Sequence, residues 1–488
     1  MILQELGNKV SLRIFGSKDL THKEDSLLKS YVGGILDVKH GESYGKILGY
    51  FFPEFITALL LYSVVPLIDA RWIASLKSTS IYATVGVTNT LIHFIIKAAE
   101  GLSVGTVILA GHYNGLQDYK EVGRSVLSSF WVTCVVGGSI ASMLFFGAHW
   151  IYVAYGVPQK MIELGVPFLR LKALGLFCMF INFAFVGFLR GIKKPKIPMQ
   201  LFIGGCIVFL FFDYALIYGS FGLPELGLMG SAWATVIQYA FMLIAGIAYI
   251  VIDPANRIYS ISLFTHLASW RHIVSIFQLS WPIVLDKAVF AAAYIWLGYL
   301  INPMGKYAIA SYSVIKDLER LAIQPAGAFA QVITFLVSNS YSVADWQGIK
   351  TNIKKTIFLA SLFVFSTLLI FSIWPAFFIS IFDQKGKFTA FSAGVFPFLS
   401  VLVFFDLLQL VLSGALRGAA NVKVVMLARL GIFLVYFIPI SWFIAGLPLE
   451  NQMLKFLLIY GSFYIGNGLM SLIYVYRFRG NRWKDKAI

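Results

Sequence analysis

Gly187-Phe188-Leu189-Arg190-Gly191 and Gly414-Ala415-Leu416-Arg417-Gly418 are two copies of one pattern, 227 positions apart. Lys196 and Met199 recur at the same offset as Lys423 and Met426, Ala83 as Ala310, and Asp118 as Asp345. A constant offset requires the elements between the repeated residues to have the same lengths in both copies, so the chain reads as a duplication. A helix needs about 20 apolar residues to cross a bilayer. Runs of that kind fall at 47–70, 79–111, 123–151, 162–190, 197–219, 227–252, 273–300, 306–340, 353–382, 389–417, 424–446 and 454–477. Each copy therefore holds six spans. Six is even, so both copies enter from the same side, and a pseudo-two-fold axis runs along the membrane normal.

Composition agrees. Hydrophobic residues make up 59% of the chain and charged residues 13%, with a mean hydropathy of +0.79, which is too apolar for a water-soluble domain. The expected fold is an all-α polytopic membrane protein of about twelve transmembrane helices in two pseudo-symmetric six-helix lobes. Its parts are a polar, basic extension (1–45), an amino-terminal lobe (46–252), a linker with Pro254, Asn256, Arg257 and Arg271 (253–272), a carboxy-terminal lobe (273–478) and a basic tail (479–488).

The formal net charge of +16 does not mark a nucleic-acid-binding protein, because the basic residues punctuate apolar runs and form no groove-sized patch. They report topology instead. Counted by side, 26 Lys and Arg lie on the face of the termini and 7 on the other, which places both termini in the cytoplasm of a bacterial-type inner membrane. Cys134, Cys178 and Cys206 each lie within an apolar run, so neither a disulfide framework nor a zinc site is expected. The first 45 residues lack an apolar core of signal-peptide length and read as a cytoplasmic extension, either lying on an anionic leaflet or forming a floppy tail.

Ionisable residues at membrane depth must face protein or a wet cavity, because lipid cannot solvate them. Asp69 in the first span and Asp213 in the fifth lie at about the same depth, ~24 Å in at 1.5 Å per residue. Two such carboxylates can share a proton or hold Na⁺. Asp406 in the tenth span lies near mid-membrane, with Gln409 one turn away. Asp286 and Lys287 follow Pro282 in the seventh span, while Lys97 and Glu100 lie close together in the second. Opposite charges on facing helices can neutralise one another there. Lys316, Asp317, Glu319 and Arg320 interrupt the eighth span and either line a wet part of the cleft or form a dense ion-pair network. Pro53 and Pro282, opening the first span of each half, are expected to bend it.

No Gly-x-x-x-x-Gly-Lys-Ser/Thr loop is present, so this chain does not consume ATP. No nucleophile elbow, His-Glu-x-x-His motif or metal-spaced Cys/His cluster supports an enzyme. Facing bundles with a cleft between them suit a carrier, either driven by an ion gradient or passive.

Gly101-Leu102-Ser103-Val104-Gly105-Thr106 through Tyr113, Asn114, Gly115 and Asp118 resembles the end of the second helix in multidrug and toxic compound extrusion transporters. Gly187 to Gly191 with Pro195 and Pro198, and Gly227, Gly230, Ala232, Ala234 and Thr235, resemble that family's fourth and sixth helices. The resemblance runs from about Lys46 to the end. It implies twelve helices in two lobes and antiport of amphipathic or cationic organic compounds against H⁺ or Na⁺ by alternating access. It assigns Asp69 and Asp213 to an amino-lobe cation site and Asp406 to a carboxy-lobe one, with Asp286 as the substitute for a family glutamate that falls at Phe290. A family asparagine falls at Phe209. Glu100, Lys97, Lys287, Asp317, Glu319 and Gln409 are then candidates for the substrate cleft. The implied partners are the bilayer and a small amphipathic substrate. A monomer is expected, with no cofactor beyond the coupling ion. The alternative within the same superfamily is a lipid-linked oligosaccharide flippase, whose pyrophosphate would need basic residues such as Lys97, Lys287, Lys316 and Arg320.

Overall fold

The structure is a computed structural model that describes residues 29–261, 268–383, 385–480 and 483–484. Twelve of its helices are long and apolar enough to span a membrane: α1 (Tyr44–Ala74), α2 (Thr79–Gly115), α3 (Tyr119–Ala154), α4 (Gln159–Gly191), α5 (Lys196–Tyr218) and α6 (Leu228–Ile252) in one lobe. The other holds α7 (Trp270–Met304), α8 (Lys306–Ser342), α9 (Trp346–Ile373), α10 (Thr389–Gly418), α11 (Val422–Gly446) and α12 (Gln452–Arg479). Each overlaps one span read from the sequence. The protein is an integral, multi-pass membrane protein. An even number of spans puts Tyr44 and Arg479 on one face.

The repeat is a repeat of geometry. Asp118 and Asp345 cap α3 and α9, each accepting a backbone N–H three residues on, from Glu121 at 3.2 Å and from Gly348 at 2.9 Å. The residues before them, Gln117 and Ala344, both turn left-handed, as do Lys193 and Ala420 after α4 and α10. A Cβ on Gly187 would lie 2.7 Å from the Ser103 carbonyl oxygen, and one on Gly414 would lie 2.5 Å from that of Ala330. These partners are also 227 apart. Lipid tails are as apolar as side chains, so membrane helices associate through such close backbone approach at small residues. The repeated glycines thus seat α4 on α2 and α10 on α8.

The lobes meet tightly toward the face of the termini. Gly101–His112 of α2 and Val332–Asn339 of α8 are buried without a break. Here His112 Nε2 contacts the Gly418 carbonyl at 3.0 Å, and Asn339 Nδ2 donates to the Gly191 carbonyl at 2.8 Å. Both donors and both acceptors obey the 227-residue offset, so this is one contact made twice about the pseudo-two-fold axis. Phe51 of α1 stacks on Phe329 of α8 with centroids 4.0 Å apart. Toward the opposite face the lobes part: between Thr79 and Phe94, α2 buries only Thr84, Val85 and Thr88. Among the described residues, the inter-lobe hydrogen bonds farthest from the termini are Ser63–Gln324, Arg320–Tyr62 and Lys287–Glu100, near mid-depth.

Pro53 and Pro282 lie inside α1 and α7, where each removes one backbone donor, and α1 departs from α geometry farther on, in a π-turn at Leu60–Val64. Pro66 has no N–H to offer the Tyr62 carbonyl, and Arg320 Nη2 donates to that oxygen instead, at 3.0 Å. Arg190, Arg417 and Arg429, counted from the sequence as loop charges, lie within helices and pair with acids. Removing them still leaves the termini face the more basic.

Residues 29–43 of the basic extension dock on protein: Lys354 Nζ donates to the Ser30 carbonyl at 2.6 Å, and the Glu42 N–H to Asn352 Oδ1 at 2.7 Å. Glu42 also pairs with Lys193 at 3.2 Å, so this segment ties the two lobes together. Residues 1–28 lie outside the described residues. In the tail, Trp483 is buried against Tyr341, Trp346 and Phe478.

Candidate functional site

In the amino-terminal lobe, α5 points Phe202, Cys206, Phe209, Asp213 and Leu216 inward at helical spacing. Gly230 lets α6 approach the α5 backbone, since a Cβ there would lie 2.6 Å from the Leu216 carbonyl carbon. That approach brings Ser231 and Thr235, one turn apart on α6, toward the acids. Ser231 Oγ donates to Asp69 Oδ1 at 2.7 Å. Asp213 is fully buried, and neither of its carboxylate oxygens has a hydrogen-bond partner among the described residues. Asp69 and Lys172 are near enough for their charges to act on it. The structure thus brings together the two acids that the sequence placed at one depth. A cavity lined by Asp69, His93, Lys172, Phe209, Thr235 and Tyr239 among others opens beside Asp69, and Asp213 lies outside its lining.

Two charged residues of this lobe escaped the sequence reading. Lys172 of α4, 6% exposed, donates from Nζ to Thr235 Oγ1 at 2.7 Å. Glu54 of α1 accepts from Arg190 at 2.8 Å (Nε) and 2.6 Å (Nη2), a two-point guanidinium–carboxylate pair inside the lobe. A lysine and a glutamate within apolar runs were the available signals. Neither shows its partner, which lies 63 residues away for Lys172 and 136 for Glu54.

In the carboxy-terminal lobe, Asp286 lies between two cations: Arg417 Nη2 at 2.6 Å, and Arg429 Nε in a second close contact. Its charge is compensated within the lobe, which sets it apart from Asp213. Arg417 occupies the position of Arg190 in the repeat, so each lobe ties the end of its fourth helix to an acid of its first. Arg429 Nη2 continues to Gln409 Oε1 at 2.9 Å. Gln409 Nε2 reaches Asp406 Oδ1 at 3.3 Å, and Asn467 Nδ2 donates to the same oxygen at 3.0 Å. Asp406 is therefore buried but hydrogen-bonded.

The cleft residues separate. Glu100 Oε2 takes Lys287 Nζ across the lobes at 2.5 Å and Lys97 Nζ at 3.3 Å, so two ammonium groups share one carboxylate oxygen. Lys97 also sits over the Tyr62 ring, 3.7 Å from its centroid. Asp317 and Arg320 are exposed on α8. Glu319 and Gln409, expected on the cleft, are instead buried inside the carboxy-terminal lobe, where Tyr460 donates to Glu319. One residue's rotation separates Glu319 from Arg320, because neighbours on a helix point about 100° apart. Lys316 turns to the Tyr312 ring, 5.4 Å away.

The profile of the MatE family matches residues 55–215 and 282–443, two stretches whose starts are again 227 positions apart. Similar proteins include the probable multidrug resistance protein NorM of Photorhabdus laumondii, 23% identical over 353 residues, covering 71% of this chain and 75% of the relative. The probable multidrug resistance protein YoeA of Bacillus subtilis is 22% identical over 322 residues, covering 66% and 70%. Among solved structures, the Vibrio cholerae MATE transporter VcmN aligns with a TM-score of 0.82 at 14% identity, covering 94% of this chain and 100% of that one. A MOP superfamily transporter from Pyrococcus furiosus aligns with a TM-score of 0.81 at 18% identity, covering 93% and 99%.

Proposed function

Because this chain belongs to the MATE family of membrane transporters, we propose that it is a secondary active antiporter exporting amphipathic or cationic organic compounds against H⁺ or Na⁺. The observation that carries the coupling is Asp213: a wholly buried carboxylate without a hydrogen-bond partner, beside a second acid. Setting aside the Glu54–Arg190 pair, Asp69 and Asp213 face one nearby cation, Lys172, so the cluster holds one uncompensated negative charge. Burying such a charge is costly, and a coupling ion that occupies the cluster relieves the cost. If occupancy differs in free energy between the two lobe arrangements, the ion gradient drives their exchange. With both termini in the cytoplasm, the lobe contact at His112 and Asn339 closes the inner face and the cleft opens outward.

Dye efflux from everted vesicles under imposed pH or Na⁺ gradients tests this. Transport of a lipophilic cation should follow one of the two gradients, and Asp213→Asn should reduce it at least tenfold while the protein still inserts. Undiminished efflux in that variant removes Asp213 from the mechanism. A second reading, lipid-linked oligosaccharide translocation, is favoured by the surplus positive charge where Lys97 and Lys287 share Glu100. Movement of a lipid-linked sugar, with no lipophilic cation moved under either gradient, would select it.

A further inference from the structure

Lys172 plays no part in the sequence expectation, yet its ammonium is linked to Asp69 through two hydroxyl residues of α6, and its charge acts on Asp213. Its Nζ donates to Thr235 Oγ1 at 2.7 Å; Thr235 Oγ1 in turn donates to the Ser231 carbonyl at 3.0 Å, and Ser231 Oγ to Asp69 Oδ1 at 2.7 Å. Lys172, Thr235 and Asp69 line one cavity. The titratable groups that face the cluster are Asp69 from α1, His93 from α2, Lys172 from α4, Cys206 and Asp213 from α5 and Tyr239 from α6.

Hard metal cations are held by several oxygen ligands at once. In this lobe the hydroxyl of Thr235 accepts from an ammonium group, and Ser231 points its hydrogen at Asp69. On α5, one turn before Asp213, the side chain is Phe209, which is buried and supplies no oxygen. A second full cation here would sit beside the first in a poorly screened interior, whereas a proton joins a carboxylate oxygen and leaves no separate cation behind.

We propose that Lys172 is the resident cation of the amino-lobe acid pair, so that this site excludes Na⁺ and exchanges a single proton with the cavity. The inference rests on reading Asp69 and Asp213 as the coupling site. Two carboxylates against one ammonium leave one negative charge, and one proton discharges it. Lys172 acts here as a specificity-determining residue, setting which ion the acids accept.

Binding of radioactive Na⁺ to the purified full-length protein tests this, alongside dye efflux in proteoliposomes. The wild type should show no saturable Na⁺ binding and efflux driven by pH alone. Lys172→Met should gain saturable Na⁺ binding that a further Asp213→Asn change removes, while Lys172→Arg should stay Na⁺-free. Saturable Na⁺ binding by the wild type that Asp69→Asn or Asp213→Asn abolishes overturns the proposal. So does a folded Lys172→Met protein whose Na⁺ binding and pH profile of efflux match the wild type. Should Lys172→Met fail to fold, Lys172→Gln and the wild-type measurement decide. Failure of the antiport reading would appear instead as no gradient-driven efflux at all, and the binding result would still stand.

Discussion

Arg190→Met should be among the most destabilising single changes in this protein, and the two lobes supply the control. Glu54 is 3% exposed, and both of its carboxylate oxygens are held by Arg190, at 2.8 and 2.6 Å. Among the described residues it has no other ion-pair partner. Truncating the arginine leaves a buried charge without compensation, a loss of about 3–5 kcal/mol. Arg417 occupies the same place in the other lobe, but its acid, Asp286, also pairs with Arg429. Arg417→Met therefore removes one charge-assisted hydrogen bond and leaves the acid paired, a loss of about 1.5–3 kcal/mol. Thermal unfolding of the detergent-solubilised protein, followed by size-exclusion chromatography, should rank Arg190→Met below Arg417→Met in apparent melting temperature. Adding Glu54→Gln to Arg190→Met should recover much of the loss, because the uncompensated charge disappears with it. Equal losses in the two single variants, or no recovery in the double one, would refute the argument that the uncompensated acid sets the cost.

Two other outcomes follow from the face of the termini. His112→Ala combined with Asn339→Leu removes both copies of the lobe contact, so spin-label distances between the termini-side ends of α2 and α8 should broaden toward longer values; an unchanged distribution would show that glycine packing alone holds this face closed. Burial pushes the Glu42 carboxyl up, but Lys193 and Lys46 outweigh it and hold the group below its ordinary value. Its folded pKa being depressed, its contribution to docking of residues 29–43 is present above the usual glutamate value of about 4.3 and lost as pH falls through the lower, folded one. Protection of that segment against hydrogen exchange, relative to the intrinsic rate at each pH, should therefore be high from neutral pH down to that range, lower below it, and low throughout in Glu42→Gln.

Much of the site was legible because the bilayer makes polar residues conspicuous. Asp69, Asp213, Asp406 and Asp286 stand out as acids in apolar runs, and the structure buries all four. Depth along a helix is also readable, at 1.5 Å per residue, which is how Asp69 and Asp213 could be paired. Rotation about each axis is harder to read. Glu319 and Asp317 differ by two positions and face opposite environments, one sealed behind Tyr460 and the other exposed. Lys172 went unnoticed for a related reason: only the approach of α6 to α5 at Gly230, and of Thr235 to α4, gives its ammonium a role.

By itself, the sequence determined the number of spans, their pairing into two parallel halves and the positions of the repeated caps and glycines. Hydrocarbon thickness and the need to satisfy every backbone group within a helix leave a stretch of some 20 apolar residues few other ways to fold. Tertiary structure decided which charges meet. Whether an acid is neutralised by two arginines, as Asp286 is, or left without a hydrogen-bond partner, as Asp213 is, depends on how helices distant in the chain are rotated and packed. Those contacts act over a few ångströms between residues scores of positions apart, and no local pattern along the chain encodes them.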